Sequence, residues 1–161
     1  MDLCHWVKAH PELLNVILFT DEASFTRDGI NNLRNVHTWS HGNPHATCLT
    51  HFQRRFSLNM WCGMLGNRLF GHFVFDNNLT ENTYEAFLRN ELTGLLEDIP
   101  LIIRSQMYFQ HDGAPPHYTI RVREFLNESF PNRWLGRGGP VAWPPRSPDL
   151  TPLDYYLWGH M

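Results

Sequence analysis

The sequence predicts an α/β protein in which helices flank a central sheet. Short apolar runs typical of strands alternate along the chain with amphipathic stretches typical of helices, and a two-residue turn joins two of the strands. The length of 161 residues suits one domain, and a hydrophobic content of 42% provides a core. We therefore expect one domain over residues 1–161, with the order strand, hairpin, helix, strand, helix, strand, helix.

The first predicted strand is the apolar run from Asn15 to Thr20. A run without polar interruption indicates a strand that is buried on both faces, and this one is followed directly by Asp21 and Glu22. Residues 27–53 are rich in Asn, His, Gly and Thr and show no sustained period, so we interpret them as a long loop or insertion.

A hairpin is predicted after this loop. Apolar residues alternate with their neighbours from Phe56 to Met64, and a second run rich in strand-forming residues extends from Leu69 to Phe75. Between them, Gly66-Asn67 offers the two-residue turn that joins antiparallel strands.

A helix and a second buried strand follow the hairpin. Thr80 is the predicted N-cap of an amphipathic helix, whose apolar stripe continues to Leu96 before Pro100 ends it. The run from Met107 to His111 predicts a strand that ends at Asp112.

Proline marks the boundaries of the C-terminal elements. Pro115-Pro116 leads into a predicted helix, and Val141 to Trp143 is a candidate strand. After a proline-rich stretch, Thr151 is the predicted N-cap of a final helix, which places Asp154 at its third position.

Composition excludes some classes of protein and leaves one question open. The net charge of −3 speaks against a nucleic-acid-binding surface, yet twelve of the thirteen cations are Arg, whose planar guanidinium suits phosphate; ordinary solvated surface is the alternative. The three cysteines are odd in number and lack C-x-x-C spacing, so no disulfide framework is expected. The longest aliphatic or aromatic run, Val16 to Phe19, is too short to span a membrane.

Three acids lie at the ends of predicted elements. Asp21 and Asp112 follow buried strands, and ligands of open α/β sheets bind beyond the carboxyl ends of strands. If the two strands are parallel neighbours, these acids face each other, with Asp154 as a third member. Carboxylates that crowd together raise one another's pKa, and a divalent cation such as Mg²⁺ removes that repulsion. The alternative is that each acid is only a cap or turn residue.

Four strings in the sequence resemble the catalytic domain of Tc1/mariner-type transposases of the DDE/D superfamily. They are LFTDEASF at 18–25, HTWSHGNPH at 37–45, YFQHDGAPPH at 108–117 and WPPRSPDLTPLDYYLWG at 143–159. The resemblance covers nearly the whole chain. It implies an RNase H-like fold with a mixed central sheet flanked by helices, and an enzyme that cuts and joins DNA.

The resemblance also implies the site and its partners. The catalytic, metal-binding acids fall on Asp21, Asp112 and Asp154 rather than on Asp149, and they would hold two Mg²⁺ or Mn²⁺ ions. Double-stranded DNA, as transposon ends and target, is the expected partner. A full-length protein is expected to be a homodimer in the nucleus.

Compared with the family, two parts are expected to be missing. Met1 stands only 20 residues before Asp21, which leaves no room for the N-terminal helix-turn-helix region that reads transposon ends. The last helix stops at Met161, so the domain is expected to be a fragment that is truncated in its last helix.

Further residues are candidates for supporting roles. His111 and His117 flank the second acid and would touch a phosphate, position water or serve structure alone. Glu22 adjoins the first acid, and Asp149 is expected to order the turn between residues 147 and 151. The candidates for contact with the DNA backbone are Arg121, Arg123, Arg137 and Arg146.

The histidines and cysteine between residues 37 and 51 invite a zinc hypothesis, but Gly42 and Pro44 spoil a helical ligand face and the spacing fits no usual zinc pattern. We therefore do not favour a zinc site there.

Two functions compete with an active transposase core. One is a catalytically inactive or domesticated transposase remnant that acts as a nucleic-acid- or protein-binding module. The other is a different nuclease of the RNase H-like type, which would cut DNA without joining it.

Overall fold

The computed structural model describes residues 3–26, 29–30, 57–145 and 147–161. Its strands form one mixed sheet in the order β4-β3-β1-β5-β6, with β2 paired to β1. The strands are β1 (Ile17–Thr26), β2 (Gly29–Ile30), β3 (Ser57–Leu65), β4 (Arg68–Phe75), β5 (Tyr108–Gln110) and β6 (Trp134–Leu135). The mixed sheet of the predicted fold class is confirmed.

The helices surround this sheet. The α-helices are α1 (Leu3–Ala9), α2 (Glu81–Asn90), α3 (Leu92–Leu95), α4 (Leu101–Gln106) and α5 (Ile120–Ser129). Shorter 3-10 segments are Pro11–Val16, Pro115–Tyr118, Pro148–Leu150 and Trp158–His160, and Leu153–Leu157 is a π-helix. Among the described residues, no helix is long and apolar enough to cross a membrane.

Strand β1 is longer than its apolar run predicts. It pairs in parallel with β5 only over Ile17 to Phe19, but in antiparallel with β3 over Leu18 to Thr26. The prediction that the strand ends before Asp21 was therefore wrong, because pairing with β3 sustains extended backbone beyond the point at which β5 ends. Asp21 lies within the strand, where only one neighbour continues.

The predicted hairpin is confirmed. Strands β3 and β4 pair in antiparallel around Gly66-Asn67, and Gly66 adopts a φ of +58° that an L side chain rarely takes. The proposed insertion at 27–53 lies outside the described residues except for Gly29–Ile30, which forms β2.

Thr80 caps α2 as predicted, but the helix ends earlier than its apolar stripe. The Thr80 hydroxyl accepts from the Thr83 N–H at 3.3 Å. The helix ends at Asn90, and α3 begins at Leu92 and contains Thr93 and Gly94, which favour helix poorly. The stripe nevertheless stays buried through Leu96, so the pattern predicts burial correctly and continuity wrongly.

Three C-terminal or short elements differ from expectation. Strand β6 is formed by Trp134 and Leu135, whereas Val141 makes only an isolated bridge to Leu135. At the start of the predicted final helix the Thr151 carbonyl accepts from the Tyr155 N–H at 3.0 Å. This helix is π-helical over Leu153–Leu157 and ends in a 3-10 turn, a geometry that the sequence did not predict. The short helices α1 and α4 were not predicted.

Apolar side chains pack on both faces of the sheet. On one face, α2 and α5 cover a cluster that includes Leu18, Trp61, Phe87, Phe109 and Leu126, all buried. On the other face, a second cluster joins α1 to the sheet and comprises Leu3, Trp6, Ile17, Leu135, Val141 and Trp143. Burial on both faces explains why the start of β1 is a continuous apolar run.

We expect the Thr80→Ala variant to lose about 1 kcal/mol of unfolding free energy, because its N-cap hydrogen bond is removed. Urea unfolding would measure the loss. Thr93→Ala, at an exposed helical position, is the matched control and should change stability by less than about 0.5 kcal/mol. Equal effects of the two substitutions would contradict the capping role.

Candidate functional site

The parallel register between β1 and β5 brings Asp21 level with Asp112. Phe19 pairs with Gln110, so each acid stands two residues beyond this pair. At Thr20 the Gln110 side chain takes over from the ladder, because its Oε1 accepts from the Thr20 N–H at 3.1 Å while the Thr20 hydroxyl donates to the Gln110 carbonyl at 2.6 Å. This exchange holds the two strands together where their pairing ends.

The final helical segment brings Asp154 to the same site. Asp154 lies in the first turn of the π-helix, directly after the fully buried Leu153. Leu153 packs in a cluster with Ala23, Cys62 and Trp158, which anchors this segment on the face of β1 and β3 that carries Asp21.

Asp21 is held by Trp158 and repelled by its acidic neighbours. The Trp158 indole N–H donates to Asp21 Oδ2 at 2.6 Å. Burial raises the pKa of Asp21 well above its ordinary value, and the charges of Glu22, Asp154 and Asp112 raise it further, while the Trp158 hydrogen bond opposes them. Asp21 therefore senses all three neighbouring acids.

The opposite shift is found at Asp112. Burial raises its pKa, but the hydrogen bond and charge of His117 and the Ala114 N–H outweigh burial, so the pKa lies below its ordinary value. His117 Nδ1 lies 2.7 Å from Asp112 Oδ1, and the Ala114 N–H donates to the same oxygen at 2.9 Å. Asp112 is thus ionised and fixed in orientation.

His117 links Asp112 to Glu22. Its Nε2 lies 3.1 Å from Glu22 Oε2, as an ion pair without the alignment of a hydrogen bond, and its side chain is only 2% exposed. Burial lowers the pKa of His117, but the charges of Glu22 and Asp112 more than compensate and raise it to about 10. The imidazolium therefore carries the positive charge between these two carboxylates.

His111 lies behind His117 in the core. The two rings stack with centroids 5.0 Å apart, and His111 Nδ1 is 3.3 Å from the Tyr84 hydroxyl. Burial lowers the pKa of His111 well below its ordinary value, and the charge of His117 adds to this effect. His111 is therefore neutral and supports the ring of His117, rather than lying among the acids.

The remaining predicted site residues are spread more widely. Asp149 is exposed in the 3-10 turn Pro148–Leu150 and is not among the groups that shift the pKa of Asp21 or Asp112. Arg121 is exposed and pairs with Glu85 at 3.5 Å.

Arg123 and Arg137 both lie over the ring of Tyr118. Arg146 and the segment 37–51 lie outside the described residues.

The donor atoms of this cluster can be compared with those of a metal site. The side chains that meet here are carboxylates, the hard oxygen donors that Mg²⁺ and Mn²⁺ prefer. Within the described part of the chain, no three His, Cys, Asp or Glu side chains stand in a ready-made metal geometry. One oxygen of Asp112 is already engaged by His117 and Ala114, so a cation would use its other oxygen or displace these contacts.

Two contributors to the site were missed from the sequence. Trp158 is one of them, although its position four residues after Asp154 places it on the same helical face and would have suggested a shared role. Gly136 approaches the ring of His111 so closely that a Cβ atom would overlap it. An isolated glycine gives no signal of such an approach.

Solved structures of the Mos1 transposase have a similar fold. The chain matches the Mos1 transposase paired-end complex with the left transposon end at a TM-score of 0.67 and 21% identity, over 99% of this chain and 44% of that chain. It matches the Mos1 catalytic domain with raltegravir and Mg at a TM-score of 0.65 and 20% identity, over 99% of this chain and 65% of that chain. It matches the Mos1 strand transfer complex at a TM-score of 0.64 and 22% identity, over 98% of this chain and 44% of that chain.

These matches confirm the predicted fold and the predicted resemblance. The chain has the RNase H-like fold of the Mos1 mariner transposase catalytic domain. It spans 44% of the Mos1 chain in the paired-end complex and 65% of the catalytic domain. No protein-family model matches the sequence, and no curated protein matches it.

The pH dependence of stability tests the His117 bridge. Because the folded state raises the pKa of His117 from 6.5 to about 10, its contribution is fully present below about pH 6.5 and is lost as the pH rises to about 10. We expect His117→Gln to lower the unfolding free energy by about 3 kcal/mol at neutral pH, with a deficit that shrinks toward about pH 10 in urea unfolding.

His72→Gln is the control, because His72 is exposed on β4. Its small effect should not vary in this way over the same pH range. A deficit of His117→Gln that stays constant with pH would show that the imidazole is not charged in the folded protein.

Proposed function

We propose that the protein is the catalytic core of a DNA transposase, which cleaves phosphodiesters at transposon ends and joins the freed ends to target DNA. The observation that carries this proposal is the convergence of Asp21, Asp112 and Asp154 from three separate elements, with Asp21 sensing the charge of both others. The fold shared with Mos1 supports it, since structures of that protein are complexes with transposon ends and a strand transfer complex.

The three acids would hold divalent cations. Burial and the charges of neighbouring acids raise the pKa of Asp21, and a bound cation would favour its ionised form. Mos1 structures with Mg and with Mn support the use of such ions, and we propose two of them here. Such ions would lower the pKa of the attacking water and stabilise the charge that develops on the attacking and leaving oxygens.

The chain's own residues prepare this site. Trp158 fixes one oxygen of Asp21, and His117 with the Ala114 N–H fixes one oxygen of Asp112. In the first step, water attacks the phosphodiester and the P–O bond breaks to leave a 3′-hydroxyl. In the second, that hydroxyl attacks a phosphodiester of the target and a target 3′-oxygen leaves with a proton.

The whole protein's setting follows from the same proposal. Double-stranded DNA is the partner, both as transposon ends and as target. We propose that the longer protein acts as a homodimer in the nucleus.

Replacement of the acids tests the catalytic role. We expect Asp21→Asn, Asp112→Asn and Asp154→Asn each to lower Mg²⁺- or Mn²⁺-dependent nicking of duplex DNA by about a hundredfold or more, because each removes a charged ligand. Asp98→Asn, at an exposed acid near the end of the α3 region, is the control and should retain the activity of the unchanged protein. Nicking that persists in all three variants would overturn the proposal.

Metal-linked stability tests the site without any reaction. A ligand that binds only the folded state at about a hundred times its Kd adds about 2.7 kcal/mol, which corresponds to a rise of about 5–10 °C in Tm for a chain of this size. We expect Mn²⁺ to produce this rise in the unchanged protein and not in Asp112→Asn.

Asp21→Asn should raise the Tm of the metal-free protein, because burial and the charges of neighbouring acids both disfavour the ionised form of Asp21. No metal-linked rise in the unchanged protein, together with retained DNA binding, would indicate the alternative of an inactive or domesticated remnant that serves as a binding module.

A further inference from the structure

We propose that Tyr118, Arg123 and Arg137 form a binding site for one backbone phosphate of a nucleic-acid strand, beside Asp112. This inference rests on the proposed function, because it assigns the neighbouring phosphate of the strand that the acids would cut. Tyr118 has no part in the three-acid cluster.

The two arginines bring positive charge to the ring of Tyr118. The guanidinium carbons of Arg123 and Arg137 lie 4.7 Å and 4.2 Å from the centroid of the Tyr118 ring. Both positive charges lie at the same ring, and among the described residues neither has a carboxylate within ion-pair distance. An anion held by both guanidinium groups would compensate this charge.

Arg121 shows how the chain treats an arginine that is already neutralised. It lies only two residues before Arg123, yet it pairs with Glu85 at 3.5 Å, and Glu85 also holds Arg89 at 3.0 Å. Arg89 and Arg121 thus share the carboxylate of Glu85. Among the described residues, Arg123 and Arg137 have no such ion pair.

Arg137 lies close to the second acid. The Arg137 side chain lies over Gly113, so that a Cβ atom at Gly113 would be 3.8 Å from Arg137 Cβ and 3.9 Å from Arg137 Cδ. Gly113 follows Asp112 directly. A phosphate held by Arg137 would therefore lie near Asp112, the second acid.

The backbone at Gly138 leaves room for the ring of Tyr118. Gly138 has a φ of +79°, and a Cβ atom there would stand 2.8 Å from Tyr118 Cε2. Any side chain at Gly138 would push Tyr118 out of its position and would be strained in that backbone conformation. The loop after β6 thus requires glycine so that Arg137 and Tyr118 can pack together.

The chemistry of the group selects phosphate. Guanidinium groups present planar pairs of N–H donors that match phosphate oxygens, and stacking on an aromatic ring leaves their edges available. Arg137 is exposed, whereas Nε of Arg123 is buried without a partner, so Arg123 would offer its terminal nitrogens.

Salt dependence of DNA binding counts the phosphates. Each phosphate that a protein neutralises contributes a slope of about −0.9 to a plot of log affinity against log salt concentration on duplex DNA. We expect the double variant Arg123→Gln/Arg137→Gln to flatten this slope by about 0.9 and to lower affinity about tenfold, measured by fluorescence anisotropy with a duplex oligonucleotide in EDTA.

Arg68→Gln is the matched control. Arg68 also stacks on an aromatic ring, with its guanidinium carbon 5.2 Å from the Phe70 centroid, but it lies on β4 at the opposite edge of the sheet from β6. This variant should leave the slope unchanged. Tyr118→Leu should reproduce part of the loss, while Tyr118→Phe, which keeps the ring, should bind like the unchanged protein.

Each outcome decides the proposal. A flattening of about 0.9 supports a single shared phosphate, whereas a flattening of about 1.8 would show two independent contacts and would overturn it. An unchanged slope in a variant with normal Tm would overturn it too. If the slope changes as expected but metal-dependent nicking is absent from the unchanged protein, the phosphate site stands and the proposed function fails.

Discussion

The burial of Asp21 beside other, partly buried carboxylates is the constraint around which this site is built. At Asp21, burial and three acidic neighbours all raise the pKa, and only the Trp158 N–H opposes them. The pKa of Asp112 is lowered instead, because His117 and Ala114 favour its charged form. His117 thus supplies positive charge to Asp112, whereas no cation among the described residues lowers the pKa of Asp21. On the proposed function, a divalent cation would supply that positive charge.

The sheet fixes where this imbalance occurs. Because Phe19 is opposite Gln110 in a parallel pair, the residues two positions further on are brought level, and these are Asp21 and Asp112. The side chain of Gln110 extends the pairing at Thr20 after the ladder of β5 has ended. A slip of one residue in this register would send one of the two acids to the other face of the sheet. The register thus matters more to the site than the length of any strand.

Sequence patterns predicted the elements that depend on local chemistry and failed where neighbours decide. The Gly66-Asn67 turn and the Thr80 cap are local, and both are confirmed. The extent of β1 depends on β3, which continues after β5 stops, and no feature near Asp21 reveals this. The strings that carry Asp21, Asp112 and Asp154 are each contiguous in the sequence, whereas the hydrogen bond from Trp158 to Asp21 joins residues 137 positions apart. Long-range contacts of this kind leave no periodic signal.

Alternation along β1 explains why two adjacent acids have different partners. Successive side chains of a strand point to opposite faces. Phe19, Ala23 and Phe25 belong to the cluster that holds Leu153 and Trp158, and Asp21 shares their parity and bonds to Trp158. Glu22 has the parity of Leu18 and pairs with His117, which packs against Tyr84 on the helix-covered face. The strand therefore gives one carboxylate to the final helix and the next to the histidine that orients Asp112. A single run of sequence supports the site from both sides of the sheet.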